Sequence, residues 1–195
     1  MTTPQTRARR FRRSIGVVAG AVLWIQGCTT RPSAQAPPRA KPFSAAARTI
    51  PLADGGRVSV ERTASLGGEG ERVVVFDQQG QQVSLSWCAE STGNYDRLAS
   101  LFRQLQKAVA ANDRLAVARL TRFPLQVNGG AGERIDSAGT LLQRYGQVFT
   151  PAVTQAIIQS APQAVFCTAE AATASDGAVW ASTRDGRTAI DVVNR

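Results

Sequence analysis

The chain has 195 residues, 23 basic and 14 acidic, with no histidine and a formal net charge of +9. The missing histidine excludes Ser-His-Asp triads, Cys-His nucleophile pairs and HExxH zinc sites together. Nine of the basic residues and none of the acidic ones fall in residues 1–48, so residues 49–195 carry 14 of each sign, and a domain without net charge gives nucleic acid no electrostatic footprint.

Residues 7–28 read RARRFRRSIGVVAGAVLWIQGC. Arg7, Arg9, Arg10, Arg12 and Arg13 form a basic n-region, and residues 15–25 form an apolar h-region. Gly27 is a small residue before the cut, which completes an export signal. Eleven helical residues span about 16 Å, roughly half a bilayer core, too short for a comfortable permanent span. The basic flank holds the N-terminus in the cytoplasm while the following chain crosses. Arg12-Arg13-Ser14-Ile15 partly matches a twin-arginine signal, but Gly16 stands where a second apolar residue belongs.

Ile25, Gln26, Gly27 and Cys28 resemble the lipobox of bacterial lipoproteins, with Gln26 larger than the usual residue. The resemblance implies a signal over residues 1–27, cleavage before Cys28 and acyl chains on that cysteine. Each buried methylene then adds about 0.8 kcal/mol to anchoring. A non-acidic residue after the cysteine, here Thr29, implies the outer membrane, with the domain on the periplasmic side of the cell envelope. The same residues also fit an ordinary secretory signal with an incidental cysteine, or an uncleaved anchor.

Residues 28–48 form a tether rich in Pro, Ala and Ser. Pro32, Pro37, Pro38 and Pro42 keep it extended, and its low apolar content cannot offset the entropy of ordering. Residues 49–195 suffice for one α+β domain that buries around 70% of its unfolded surface. It holds Cys88 and Cys167. Outside the cytoplasm an even pair becomes a disulfide, worth up to about 4–5 kcal/mol for so long a loop. The alternative is two buried free thiols.

Residues 49–90 read as two β-hairpins. Residues 49–52 lead into the turn Asp54-Gly55-Gly56, and residues 57–63 place Val58 and Val60 on one face. Residues 65–70 are a glycine-rich break, residues 72–76 a strand with three valines, and residues 81–88 alternate Val83, Leu85 and Trp87. Two hairpins need further packing to be stable. In residues 91–195, Asn94 or Asp96 caps a helix to about residue 111, with Leu98, Leu101, Phe102, Leu105 and Val109 on one face. A shorter helix runs to residue 120 and Pro124 ends it. Residues 125–127 and 133–135 make a short hairpin. Ser137 caps a helix burying Leu141, Leu142, Tyr145, Val148 and Phe149, and Thr150-Pro151 opens another with Val153, Ile157 and Ile158. Strands over residues 164–168, 177–182 and 188–193 close the chain, the last pair joined at Asp185-Gly186.

This order resembles the nuclear-transport-factor-2-like domains, in which helices close one side of a curved antiparallel sheet, a cone. Phe123-Pro124-Leu125, Ile135, Ser137, Leu141-Leu142, Tyr145, Phe149-Thr150-Pro151 and Val179-Trp180 look like secreted bacterial members of that superfamily. The resemblance implies a cone that Asp191 enters beside Tyr145, Phe149 and Trp180. The alternative places the aromatics in the core, Asp191 on a solvated face and Asp136 in a helix cap. The family hosts enzymes, ligand binders and assembly modules alike, so the fold supplies no function.

No GxSxG, phosphate-binding glycine loop, CxxC or calcium loop occurs, and no cofactor or metal site is implied. Three readings follow. The first is a non-catalytic envelope module, anchored in the membrane by acyl chains, that binds a protein or a small apolar ligand. The second is a histidine-free enzyme working through a carboxylate. The third is a periplasmic immunity or inhibitor protein.

Overall fold

The structure, a computed structural model, describes residues 47–65, 68–89 and 92–195. Cys28, the signal over 1–27 and the tether through residue 46 lie outside them. Among the described residues two sheets and five helices form an α+β arrangement, and neither sheet closes into a barrel.

The first sheet is antiparallel in the order β1 (Arg48–Pro51), β2 (Arg57–Ser65), β3 (Gly68–Phe76), β4 (Gln82–Ala89). Asp54 and Asp77 stabilise its turns by accepting the N–H groups of Gly56 at 3.0 Å and Gln81 at 2.8 Å. The period of two puts Val58, Val60, Val73 and Val75 into the core. On β4 the serine and cysteine side turns inward, with Ser86 and Cys88 buried. The apolar alternation of Val83 and Leu85 therefore faces out, 61% and 50% exposed. The glycine-rich break expected over residues 65–70 is instead part of the ladder, with Gly68 opposite Ser65 and Gly70 opposite Thr63. The Trp87 ring lies over Gly70 where a side chain would otherwise sit, which offsets the weakness of glycine in a strand.

Helix α1 (Tyr95–Ala110) buries Leu98, Leu101, Phe102, Leu105 and Val109, and its cap is Asn94, which accepts the Asp96 N–H at 2.9 Å. α2 (Arg114–Leu120) follows, capped by Asp113. It stops at Thr121, so Pro124 does not end it. Pro124 lies inside β5 (Thr121–Asn128), after a cis peptide bond. The ladder there jumps from the pair Thr121–Ile190 to the pair Gln126–Val192, so a residue without an N–H costs no ladder bond.

β6 (Glu133–Ile135) completes the short hairpin. The single helix expected after Ser137 is two, α3 (Ala138–Gln143) and α4 (Tyr145–Val148). Arg144 leaves helical geometry between them, and its guanidinium reaches Glu133 at 2.5 Å. Glu133 also pairs with Arg195 at 2.9 Å. Thr150 caps α5 (Pro151–Gln159), which buries Val153 and Ile157 but leaves Ile158 43% exposed.

The second sheet has the order β6-β5-β10-β9-β8-β7, with β7 (Phe166–Cys167), β8 (Ala172–Thr173), β9 (Val179–Arg184) and β10 (Arg187–Asn194). Its β5–β10 pair is parallel, so this sheet is mixed rather than antiparallel throughout. The strand expected over 164–168 shrinks to two residues because Thr168 turns the chain, its N–H bonded to the Ala171 carbonyl at 2.8 Å. β8 follows that turn and was not expected. One core joins both sheets: the valines of β2 and β3 cluster with α1, α5, β5, β9 and β10.

Candidate functional site

Cys88 and Cys167 form a disulfide with Cα atoms 5.1 Å apart. It ties β4, the last strand of the first sheet, to β7, the last strand of the second. The far half of β4 is not covered this way. There an open groove of about 580 Å³ is lined by Val83 and Ser84 together with Phe166, Thr173 and Trp180. Val83 and Phe166 are 61% and 41% exposed, and Trp180 is half-buried. Among the described residues of its lining, Asp176 is the one with a charge.

Two devices hold the walls. At the C-terminus of α5, the Gln106 side-chain amide donates to the carbonyls of Ile157, Ile158 and Ser160 at 3.2, 2.8 and 2.9 Å. These are the carbonyls a helix end leaves orphaned, and their capture fixes the neighbouring wall at residues 159–161. On the opposite side Thr173 Oγ1 accepts the N–H groups of Ser175 and Gly177 at 3.3 Å each. Asn194 donates to the Gly177 carbonyl at 2.5 Å. This loop passes through left-handed geometry, φ 48° at Asp176 and 80° at Gly177, a region that aspartate and glycine tolerate best. It presents Asp176 between the groove and a second opening of about 410 Å³ lined by Ala152, Ala156, Trp180 and Arg195.

The residues singled out from the sequence fall into separate settings. Tyr145 and Phe149 stack with centroids 4.9 Å apart, 6% and 3% exposed, inside the core. Burial raises the Tyr145 phenol above its ordinary range, and Arg114, 5.2 Å from the ring centroid, opposes that. Trp180 lines the two grooves, and neither has Tyr145, Phe149 or Asp191 in its lining. Asp191 sits at an irregularity in β10, between Ile190 and Val192. Its carboxylate accepts from Arg122 and, at 2.6 Å, from Ser182 Oγ. Its side chain is 12% exposed, so it is neither a groove carboxylate nor a solvated one. Asp136 is exposed and pairs with Arg134 at 2.9 Å, while Ser137 alone accepts the helix N–H, from Thr140 at 3.2 Å. Among the described residues no cluster of His, Cys, Asp or Glu can hold a metal ion, and no helix is long and apolar enough to cross a membrane.

The sequence reading gives Val83 a place in an alternating strand but no part in a site, and gives Phe166 and Asp176 no role. A signal for Val83 exists: residues 82–87 alternate polar and apolar side chains, and residues 81–89 contain no charge. No protein-family model, no curated protein and no solved structure matches the chain.

Proposed function

We propose that the protein is an envelope lipoprotein, acylated at Cys28 and held at the outer membrane, whose domain is a non-catalytic binding module. The observation that carries the binding role is the open apolar groove of Val83, Phe166 and Trp180. Exposed apolar residues gathered at one place mark an interaction surface, and a cleft where Val83, Phe166 and Trp180 stand beside Ser84, Gln159, Ser160, Thr173 and Asp176 suits an apolar side chain with polar groups next to it. The Cys88–Cys167 bridge supports an oxidising compartment, in agreement with the export signal. Asp191 bears on the alternative: a carboxylate engaged by both Arg122 and Ser182 is poorly placed to move a proton.

The nuclear-transport-factor-2-like reading of residues 91–195 belongs to the same proposal. Its support is the succession of helices and then strands, together with the irregularity in β10, a device that bends sheets.

Two measurements test the function. Membrane fractionation of Cys28→Ser must move the protein to the soluble periplasm; unchanged fractionation sinks the anchor. A photo-reactive residue at position 166 must crosslink an envelope component in living cells, and Trp180→Ala must abolish the crosslink. A crosslink that survives this substitution removes the groove as the binding face.

A further inference from the structure

The described residues include four strands at sheet edges. β1 has four residues with Arg48 and Pro51, β6 three with Glu133 and Arg134, and β7 two. Shortness, charge, proline and β-bulges are among the means by which proteins keep an edge from pairing with a foreign chain. β4 is the longest of the four and holds neither charge nor proline, its eight residues reading QVSLSWCA; its one protection is a bulge at Val83, where the register slips between Gln82 and Ser84. The bridge to β7 covers the Cys88 end. At the other end the backbone groups of residues 82–86 have, among the described residues, no hydrogen-bond partner beyond the β3 ladder. Half of an edge strand's N–H and C=O groups point away from its neighbour, and beside them lies the apolar groove.

We propose that the free half of β4 binds an extended segment of a partner protein, which adds to the sheet as a fifth strand. The proposal rests on the binding-module reading and names the kind of partner that site takes. Residues 82–85 offer about 13 Å of edge at roughly 3.3 Å per residue, bent at the Val83 bulge. Main-chain hydrogen bonds supply affinity there, and alternate side chains supply specificity. Every second side chain of the added strand enters the groove against Phe166 and Trp180, so those positions are apolar. Asp176 is the charged residue of the groove, and it calls for a lysine or arginine at the end of the segment near that loop. A second copy of this chain fits less well. Its β4 brings no basic group to oppose Asp176.

The test uses the full chain in detergent micelles and a phage-displayed library of random decapeptides. Selected peptides are expected to alternate apolar residues and to carry one Lys or Arg. With such a peptide bound, amide exchange across residues 83–86 is expected to slow at least about tenfold. Val83→Lys must abolish selection with its melting temperature unchanged, and Asp176→Asn must remove the preference for the basic residue. Absence of any selected peptide overturns the proposal. Selected peptides that leave exchange at 83–86 unchanged also overturn it, while the binding-module reading stands on its own crosslinking result. Slowed exchange without peptide, accompanied by dimers in sedimentation velocity, assigns the edge to self-association and overturns it too.

Discussion

The carboxylate of Glu71 accepts the backbone N–H of Tyr95 at 2.7 Å, so the first turn of α1 is capped from a strand of the first sheet. The Tyr95 hydroxyl donates to the Gln163 carbonyl at 2.9 Å, and Arg48 reaches Asp96 at 2.8 Å. One turn of helix thereby joins β1, β3 and the segment leading into β7. A carboxylate at a helix N-terminus is favoured both by the orphan N–H groups and by the macrodipole.

Glu71→Ala is expected to lower stability by about 1–2 kcal/mol, read as a lower urea midpoint with an unchanged slope. Glu71→Gln keeps an acceptor and loses the charge, so a smaller loss is expected. A wild-type midpoint for Glu71→Ala would show that the cap contributes nothing.

The Tyr95 phenol is pushed up to about 12, first by burial and against the opposing charge of Arg48. Folding therefore favours the protonated phenol. Its contribution is intact below the ordinary phenol value of about 10 and falls as pH rises toward 12. Stability measured by denaturant titration is expected to decline across that window, and Tyr95→Phe is expected to flatten the decline while losing the bond to Gln163. An equal slope in the variant removes Tyr95 as its source.

The Cys88–Cys167 bridge closes a separation of 79 residues. Replacing both cysteines by serine is expected to cost about 2–5 kcal/mol, visible as a lower melting temperature. Reductant is expected to bring the native chain to the same value and to leave the variant unaffected.

Arg122 and Asp191 have side chains 17% and 12% exposed, and Ser182 bonds both. Removing one partner leaves a charge in poor solvent, so Asp191→Ala is expected to cost about 3–5 kcal/mol. The double variant Arg122→Met, Asp191→Leu is expected to recover much of that loss. Additive losses in the double-mutant cycle would show that the two side chains are not coupled.

The groove variant Val83→Lys alters a residue 61% exposed. Its folding free energy is expected to stay within about 0.5 kcal/mol of the native chain. A larger loss would mean that Val83 supports the fold.

Much of the architecture was legible because it depends on near neighbours. Ser137 and Thr150 cap helices through bonds to N–H groups three residues on, and the valines of β2 and β3 face the core through a period of two. Pro124 misled because proline ends helices as a local rule, whereas here it occupies an interrupted stretch of ladder between β5 and β10 that no local pattern announces. Leu141 to Phe149 kept helical spacing through Arg144, yet an ion pair with Glu133 accompanies the break there.

The sequence by itself determined the run of arginines before an apolar stretch over residues 7–28, the neutral charge of residues 49–195, the absence of histidine chemistry and the succession of hairpins, helices and strands. Each of these is a property of composition or of contacts within a few residues. Only the tertiary structure decided that Tyr145 and Phe149 are core, that Asp191 belongs to Arg122 and Ser182, and that Val83 and Phe166 line one groove. Arg122 and Asp191 are 69 positions apart, and Val83 and Phe166 are 83, where no spacing rule reaches. Such relations are settled by which sheet face meets the core and by where a disulfide holds two strand edges together.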